Sequence, residues 1–437
     1  MTAKTLFRLT PLALLLAAAG NAQAAGFLDD SKTSLRYSQF YWNEGTRGAP
    51  DAQRDEWVQG AQFSFKSGYF NDLIGFDFGY GLANDLHIGE KANSLGNLVA
   101  DQRDVQNPHG LGKPLEAYLK TRFADDRQEL RFGAGKKARV FEQYVDSVTR
   151  VLPAATLGYD LDYRRGPLNL RLSQIEQFTP RNDNGWGDEL TNFAGEKIDH
   201  LRILGASYAL TPNTRLVAEH AEAKDYLESR LLRLEHNIPL DAQRRVELYA
   251  SHGSQRDAGE LFDYAGVPGL YEASDRHHAR FVDLGATYRD GNWYAGLNLN
   301  QVRGDDFDRL FFAKDHGTWA NSGQLFFWYG LEDERMLKLR GGLDFAPFGL
   351  PQLRWDGHYA VSDGAAGMDG FARREWQSMF QYRFDGALKG LHLIWLHTEH
   401  RTAGTPDGVR RTSTGFGPAA PVDYDADRLY LNYTYDF

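Results

Sequence analysis

The chain has 437 residues, 13% of them aromatic, together with 45 glycines, no cysteine and a formal net charge of −10 at pH 7. The acidic balance argues against nucleic-acid binding, which requires a basic surface, and the lack of cysteine excludes a disulfide-stabilised fold. Abundant aromatic residues and glycines with few long apolar runs favour many β-strands that each present one apolar face.

The first 24 residues have the pattern of a secretory signal peptide. A positively charged start precedes a short apolar run, Leu12–Ala19, and Ala22-Gln23-Ala24 forms a cleavage site of the A-x-A type. That run is too short to cross a bilayer as a helix, and no other segment offers a long apolar stretch. We therefore expect a signal peptide over residues 1–24. We expect one mature domain over residues 25–437, because no linker or change in composition divides it.

Alternating apolar and polar residues recur along the mature chain and predict β-strands with one apolar and one polar face. In chain order, the clearest of these segments are residues 74–80, 115–122, 282–289, 376–384 and 428–437. In the second segment, Leu115, Ala117 and Leu119 are predicted to share the apolar face. In the last, Arg428 and Asn432 stand on the polar face.

Short turns and long polar loops separate the predicted strands. We place turns at residues 68–73, 124–127, 165–167, 211–213, 240–243, 289–292, 346–351 and 385–390. We place long loops at residues 83–113, 179–200, 254–280, 303–335 and 401–425. Such an alternation is typical of membrane barrels with short periplasmic turns and long extracellular loops.

A soluble β-sandwich would show the same alternation along its strands. A transmembrane antiparallel β-barrel is favoured by the alternating connections, by aromatic residues at strand ends such as Trp42 and Trp293, and by the aromatic last residue, Phe437. Bacterial barrels made of one chain have an even number of strands, about 18 at this length. Because a direct count is odd, we assign Gln324–Leu331 to the loop after Arg303.

Short motifs occur along the mature chain in the order found in one family of membrane barrels. They include Phe40-Tyr41-Trp42-Asn43, Trp57-Val58-Gln59-Gly60, Val148-Thr149-Arg150-Val151-Leu152-Pro153, Asn237-Ile238-Pro239-Leu240 and Phe348-Gly349-Leu350-Pro351. Through them the chain resembles the OprD family of substrate-specific outer-membrane porins. The resemblance implies an all-β barrel of about 18 strands in which a segment of loop 3, here residues 148–153, folds into the lumen. It also implies a ladder of basic side chains that guides carboxylate-bearing solutes.

Such a ladder has a physical basis, because a narrow polar lumen between low-dielectric walls focuses the field of a few cations. Arginine also offers a planar fork that matches a carboxylate. The candidate lumen residues on the predicted polar faces are Arg36, Lys120, Arg122, Arg131, Arg171, Lys338, Arg340, Arg354 and Arg383. Arg150 and Asp315 match family positions at the constriction. Each of these side chains could instead belong to a solvated wall.

The predicted ladder departs from the family pattern at several positions. Ser38 and His358 stand where arginines are common, and Leu391–Thr398 lacks an expected pair of arginines. We keep His358 as a pore-lining candidate, but histidines, including the nearby His392 and His400, are largely neutral near pH 7. We therefore expect a thinned ladder that also admits less charged or aromatic solutes.

The predicted function is passive, substrate-selective uptake of small solutes across the outer membrane of a Gram-negative bacterium, without a cofactor. No motif for a nucleophile, zinc or phosphate argues for an enzyme. The alternatives are an adhesin or a hydrolase barrel without channel activity. The expected partners are outer-membrane lipid, lipopolysaccharide and small carboxylate or aromatic solutes. The chain is expected to be a monomer or a loose homotrimer.

Overall fold

The computed structural model describes residues 26–49, 53–100, 104–262, 276–314, 321–406 and 423–437. The predicted signal peptide lies outside these residues. The described chain is mainly antiparallel β-sheet, with two single-turn 3₁₀ helices, Ala346–Phe348 and Gly386–Leu388. Among the described residues, no helix has the length and apolarity that crossing a bilayer requires.

The described residues contain twenty strands, 18 of which form a closed barrel. Strands β1 to β7 span Lys32–Thr46, Gln53–Lys66, Ile74–Ile88, Leu111–Ala124, Gln128–Lys137, Ala155–Arg165 and Leu168–Thr179. The short strands β8 and β9, Asp188–Thr191 and Lys197–Ile198, form a hairpin in the next connection. Strands β10 to β15 span Leu201–Thr211, Thr214–Ala223, Leu227–Pro239, Arg244–Asp257, His278–Asp290 and Trp293–Gly304. Strands β16 to β20 span Arg335–Asp344, Leu353–Asp363, Met368–Arg383, Leu391–Pro406 and Tyr424–Asp436.

Each barrel strand pairs antiparallel with the next one, β7 pairs directly with β10, and β20 returns to β1. In this closing pair, Arg36 lies opposite Thr434 and Tyr41 lies opposite Leu429. A closed sheet leaves no edge with unpaired backbone groups, which a bilayer could not satisfy. The predicted fold class, a transmembrane antiparallel β-barrel of about 18 strands, is confirmed.

The eight predicted turns all join neighbouring barrel strands at one end of the barrel, which we call the turn end. Gly166 and Gly291 adopt positive φ values of 53° and 50° in two tight turns, a conformation that glycine adopts at little cost. The longer connections lie at the opposite end, the loop end. Gln324–Leu331 belongs to one of them, as predicted, and contains only an isolated bridge between Gln324 and Trp328.

The outer wall of the barrel is apolar. Val282 and Leu284 on β14 are exposed, whereas Asp283 and Thr287 on the alternate face are buried inside. The same division places Trp376 on β18 outward. A continuous exposed belt of apolar side chains is suited to contact with hydrocarbon. These two face assignments from the sequence are therefore correct.

The predicted position of Leu115 is wrong. The alternation places Leu115 on the outer face, but in the structure it is buried in a cluster with Leu152 of loop 3. A β-bulge causes the change, because Gly79 pairs with Glu116 and the next residue of β3 pairs with Pro114, which leaves Leu115 as the extra residue. A bulge re-aims side chains locally. Leu119, beyond the bulge, is exposed as predicted.

Connections at the loop end fold back into the barrel. Val151 of loop 3, residues 138–154, is fully buried against Phe40 and Val58 on the inner wall. Loop 7, residues 305–334, is described over 305–314 and 321–334, and its Phe312 lies 6.2 Å from Tyr144 between ring centroids. The apolar core therefore sits inside the lumen, and the loop 3 that was predicted to fold inward does so.

Candidate functional site

Loops 3 and 7 leave a small basic cavity inside the loop end of the barrel. Its volume is about 310 Å³, and it is lined by Arg54, Leu95, Gly96, Arg150, Pro180, Arg181, Asn182 and Lys314. The four cationic residues come from β2 and from three different loops. The cavity therefore exists only when these segments pack together inside the closed sheet.

Trp42 and Glu44, on the inner face of β1, organise the cations beside this cavity. The guanidinium carbon of Arg428 lies 3.7 Å from the ring centroid of Trp42, and that of Arg150 lies 4.3 Å from it. The buried carboxylate of Glu44 accepts hydrogen bonds from Arg54 at 2.9 Å and from Arg428 at 2.6 Å. Glu44 therefore balances part of the charge of two arginines.

The backbone next to Arg150 is fixed at the tip of loop 3. The amide of Val151 donates to Asn97 Oδ1 at 2.9 Å, and its carbonyl accepts from Gln62 Nε2 at 2.9 Å. Among the described residues, the Arg150 guanidinium has no hydrogen-bond or carboxylate partner. Burial and the charges of three neighbouring arginines lower the pKa of Arg150 to about 9. Arg150 therefore remains a cation at neutral pH.

Five of the predicted ladder cations have no carboxylate within ion-pair distance in the described part of the chain. They are Arg36, Arg150, Lys338, Arg340 and Arg383. Arg36 donates to Asn432 Oδ1 at 2.6 Å. Arg340 donates to Thr287 Oγ1 at 2.6 Å and lies 5.8 Å from the ring of Tyr294. These neutral partners orient the guanidinium groups without cancelling their charge.

The remaining predicted cations are paired with nearby carboxylates. The N–O distances are 2.6 Å for Lys120–Asp77, 2.6 Å for Arg122–Asp72, 2.8 Å for Arg131–Glu129, 3.1 Å for Arg171–Asp162, 2.8 Å for Arg354–Asp356 and 3.1 Å for His358–Glu375. Pairing reduces the field that each cation presents to a solute. Asp315, predicted at the constriction, lies outside the described residues.

Four of the six paired residues lie on a different part of the wall from the cations without carboxylates, and Arg354 and His358, on β17, are the exceptions. Apart from Arg150 in loop 3, the cations without carboxylates lie on β1, β16 and β18. Lys120, Arg122, Arg131 and Arg171, which are paired, lie on β4, β5 and β7. Uncompensated positive charge is therefore concentrated on the side of the barrel where the sheet closes.

Glu375 on β18 ties loop 7 to the barrel wall. Its buried carboxylate accepts hydrogen bonds from the backbone amides of Phe326 at 2.9 Å and Phe327 at 3.1 Å. The same carboxylate contacts ring nitrogens of His358 at 3.1 Å and His400 at 3.2 Å. Two of the histidines found where the basic ladder is thinned therefore hold a loop in place.

A second anchor for loop 7 uses one of the ladder cations. Lys338 Nζ donates to the backbone carbonyl of Ser322 at 2.7 Å. The Ser322 amide donates to Asp283, on the inner face of β14, at 2.9 Å. Lys338 was predicted to guide solutes. In the structure, its ammonium group holds loop 7 in place.

The sequence analysis missed Arg54, Arg181 and Lys314. Arg181 and Lys314 lie in loops, where no periodicity marks the inward direction. Arg54 could have been found, because it shares the inner face of β2 with Val58. Arg428 could also have been found, because the alternation places it on the polar face of the last predicted strand.

Comparisons with known proteins identify relatives over most of the chain. The family model described as outer membrane porin, OprD family, matches residues 25–437. Porin-like protein GalP of Pseudomonas putida is 26% identical over 421 residues, which cover 92% of this chain and 94% of that protein. Porin D of Pseudomonas aeruginosa is 26% identical over 358 residues, which cover 76% of this chain and 73% of that protein.

Solved structures share the barrel. Pseudomonas aeruginosa OccK9 (OpdG) matches with a TM-score of 0.78 at 21% identity, covering 94% of this chain and 100% of that chain. Pseudomonas aeruginosa OpdK, solved with vanillate, matches with a TM-score of 0.76 at 21% identity and the same coverage. At this level of identity, the likeness establishes the fold.

Proposed function

The chain belongs to the OprD family of outer-membrane porins, and we propose that it takes up small carboxylate-bearing solutes by passive diffusion through a partly basic lumen. It is a channel of the bacterial outer membrane and not an enzyme. Its selectivity would arise where loops 3 and 7 narrow the lumen. The mature domain is proposed to be residues 25–437.

The uncompensated charge of Arg150 carries this proposal. Of the other cations that line the cavity, Arg54 pairs with Glu44 and Lys314 pairs with Asp188. Arg150 has no such partner among the described residues. A charge confined between low-dielectric walls acts on a passing ion more strongly than one in bulk water. Arg150 is therefore the residue best placed to attract an anion to the narrowed part of the lumen.

The rings beside the cations favour carboxylates that carry an aromatic group. Trp42 and Phe326 flank the Arg428 guanidinium at 3.7 Å and 4.5 Å from their ring centroids. Planar guanidinium and aromatic faces can stack with an aromatic solute. OpdK was solved with vanillate, an aromatic carboxylate, which supports this class of solute here as well.

The test is the reversal potential of single channels in a planar bilayer under a salt gradient. We expect the wild-type channel to prefer chloride over potassium. In Arg150→Ala the permeability ratio should fall about threefold, equivalent to about 0.7 kcal/mol, because the uncompensated cation is removed and the barrel wall is unchanged. Arg122→Ala is the matched control, since Asp72 already balances Arg122 at the turn end.

An absence of anion preference in the wild-type channel would refute the basic-lumen proposal and leave the porin assignment intact. Equal effects of the two substitutions would refute the role of Arg150. Liposome swelling with benzoate and with neutral benzyl alcohol adds a test of the solute class. Benzoate should enter faster through the wild type, and Arg150→Ala should remove that difference.

A further inference from the structure

A row of five residues, three of them arginines, crosses the outer wall of the barrel near its loop end. His220, Arg230, Ser254, Arg280 and Arg303 stand on five consecutive strands, β11 to β15, and each is the direct register partner of the next. Neighbouring strands are about 4.8 Å apart. The row therefore places three arginines within a short stretch of wall.

These side chains point away from the lumen. Residues that flank Arg230 and Arg280 along their strands, such as Ser229, Leu231, Ala279 and Phe281, are buried inside the barrel. Arg230 has 63% of its side chain exposed and Arg303 has 49%. Because alternate strand residues face opposite sides of the sheet, the row lies on the membrane-facing surface.

The row marks the upper border of the apolar belt. Two residues closer to the turn end, Leu232 and Val282 are exposed apolar side chains. Arg256 on β13, two residues nearer the loop end than Ser254, has 60% of its side chain exposed. A change from apolar to basic side chains at the loop end corresponds to the level of the headgroups in the outer leaflet, because the long loops of such barrels are extracellular.

The basic charge of the row is only partly balanced. Glu228 pairs with both Arg230 and Arg256, and Asp333 pairs with Arg303. Arg280 has no carboxylate partner among the described residues. It lies directly opposite Arg303, and like charges opposite one another destabilise a sheet. An anion bound between Arg280 and Arg303 would remove this repulsion.

We propose that Arg230, Arg280 and Arg303 form a binding site for the phosphate groups of lipid A, the phosphorylated glycolipid of the outer leaflet. Guanidinium groups bind phosphate through paired charge-assisted hydrogen bonds. The apolar belt directly below the row would pack against acyl chains. The arginines would therefore bind the phosphate groups of lipid A, and the adjoining apolar belt would contact its acyl chains.

The next strands along the wall show that arginine at this level does not by itself make such a site. Arg335 and Arg401 also face outward near the loop end of β16 and β19. The carboxylates of Asp363 and Asp425 lie 2.9 Å and 2.6 Å from Arg335 and Arg401. This second group is balanced by acidic neighbours and supplies a matched control.

The test is the binding of purified lipid A to the refolded mature barrel in detergent, measured by native mass spectrometry. The triple variant Arg230→Gln, Arg280→Gln, Arg303→Gln should bind lipid A at least tenfold more weakly than the wild type. The control double variant Arg335→Gln, Arg401→Gln should change the affinity less than twofold. Heat-induced unfolding of each variant verifies that the barrel has formed.

Two further arms identify the ligand chemistry. Lipid A without its phosphates should bind wild type and variant equally weakly, and rising salt should weaken only the phosphorylated form, because exposed charges are screened. Unchanged lipid A affinity in the folded Arg230/Arg280/Arg303 variant would overturn the proposal. Displacement of lipid A by low millimolar inorganic phosphate would also overturn it, because the site would then bind free phosphate.

Discussion

Single cations in the lumen differ mainly in whether a carboxylate lies beside them. Arg354 and Arg340 stand on neighbouring strands of one wall, yet only Arg354 contacts an acidic group, Asp356, at 2.8 Å. An isolated guanidinium keeps its field, whereas a paired one presents a dipole. The pairing of each cation, more than its presence on the polar face, sets the selectivity expected of it.

Arg340→Ala should therefore lower the anion preference of the channel while the barrel still folds. Within the described ranges, Arg340 is held by Thr287 and the ring of Tyr294 alone, so its removal takes away an uncompensated charge. The measurement is the reversal potential under a salt gradient, combined with thermal unfolding.

Arg354→Ala is the matched control for this prediction. Because Asp356 balances Arg354 in the wild type, its loss should change selectivity less, or shift it toward cations through the freed carboxylate. An Arg340→Ala channel with wild-type selectivity would remove Arg340 from the proposed ladder.

At the scale of the elements, loop 7 folds into the barrel, and a few polar contacts hold it against the wall. Glu375 is fully buried. Its carboxylate accepts hydrogen bonds from two backbone amides of this loop and contacts two imidazole rings. Leaving buried amides unsatisfied costs about 1–3 kcal/mol each. The carboxylate therefore keeps the aromatic segment around Phe326 close to the cationic cluster.

Glu375→Gln should loosen loop 7. The glutamine side chain has the same shape but replaces one acceptor oxygen with an amino group, which cannot accept a backbone N–H. We expect larger conductance and more frequent current fluctuations in single-channel recordings. Glu399→Gln, at an outward position on β19, should leave both unchanged. Recordings of Glu375→Gln that match the wild type would show that the loop is held by its apolar contacts alone.

At the scale of the whole molecule, the closed sheet supplies a rigid frame and the interior supplies its charge. No strand edge is left unpaired in the closed barrel, so the positions of the inner side chains follow from the register of the 18 strands.

The sequence by itself determined the barrel, its turns and most of its faces, because these depend on local alternation and on turn residues. The segment around Val282 and the Gly166 and Gly291 turns are examples. The assignment of Gln324–Leu331 to a loop rested on the even strand number of such barrels. The inward position of Arg150 was implied by resemblance to a family.

Only the tertiary structure decided which inner residues share a site. Leu115 turns inward because of a bulge that depends on the pairing of two strands, and Arg181 and Lys314 reach the cavity through loop packing. The carboxylate partners of the ladder cations depend on the register between strands and on loops from distant parts of the chain. Local periodicity contains no information about such long-range contacts, so charge compensation in the lumen could be read only from the folded barrel.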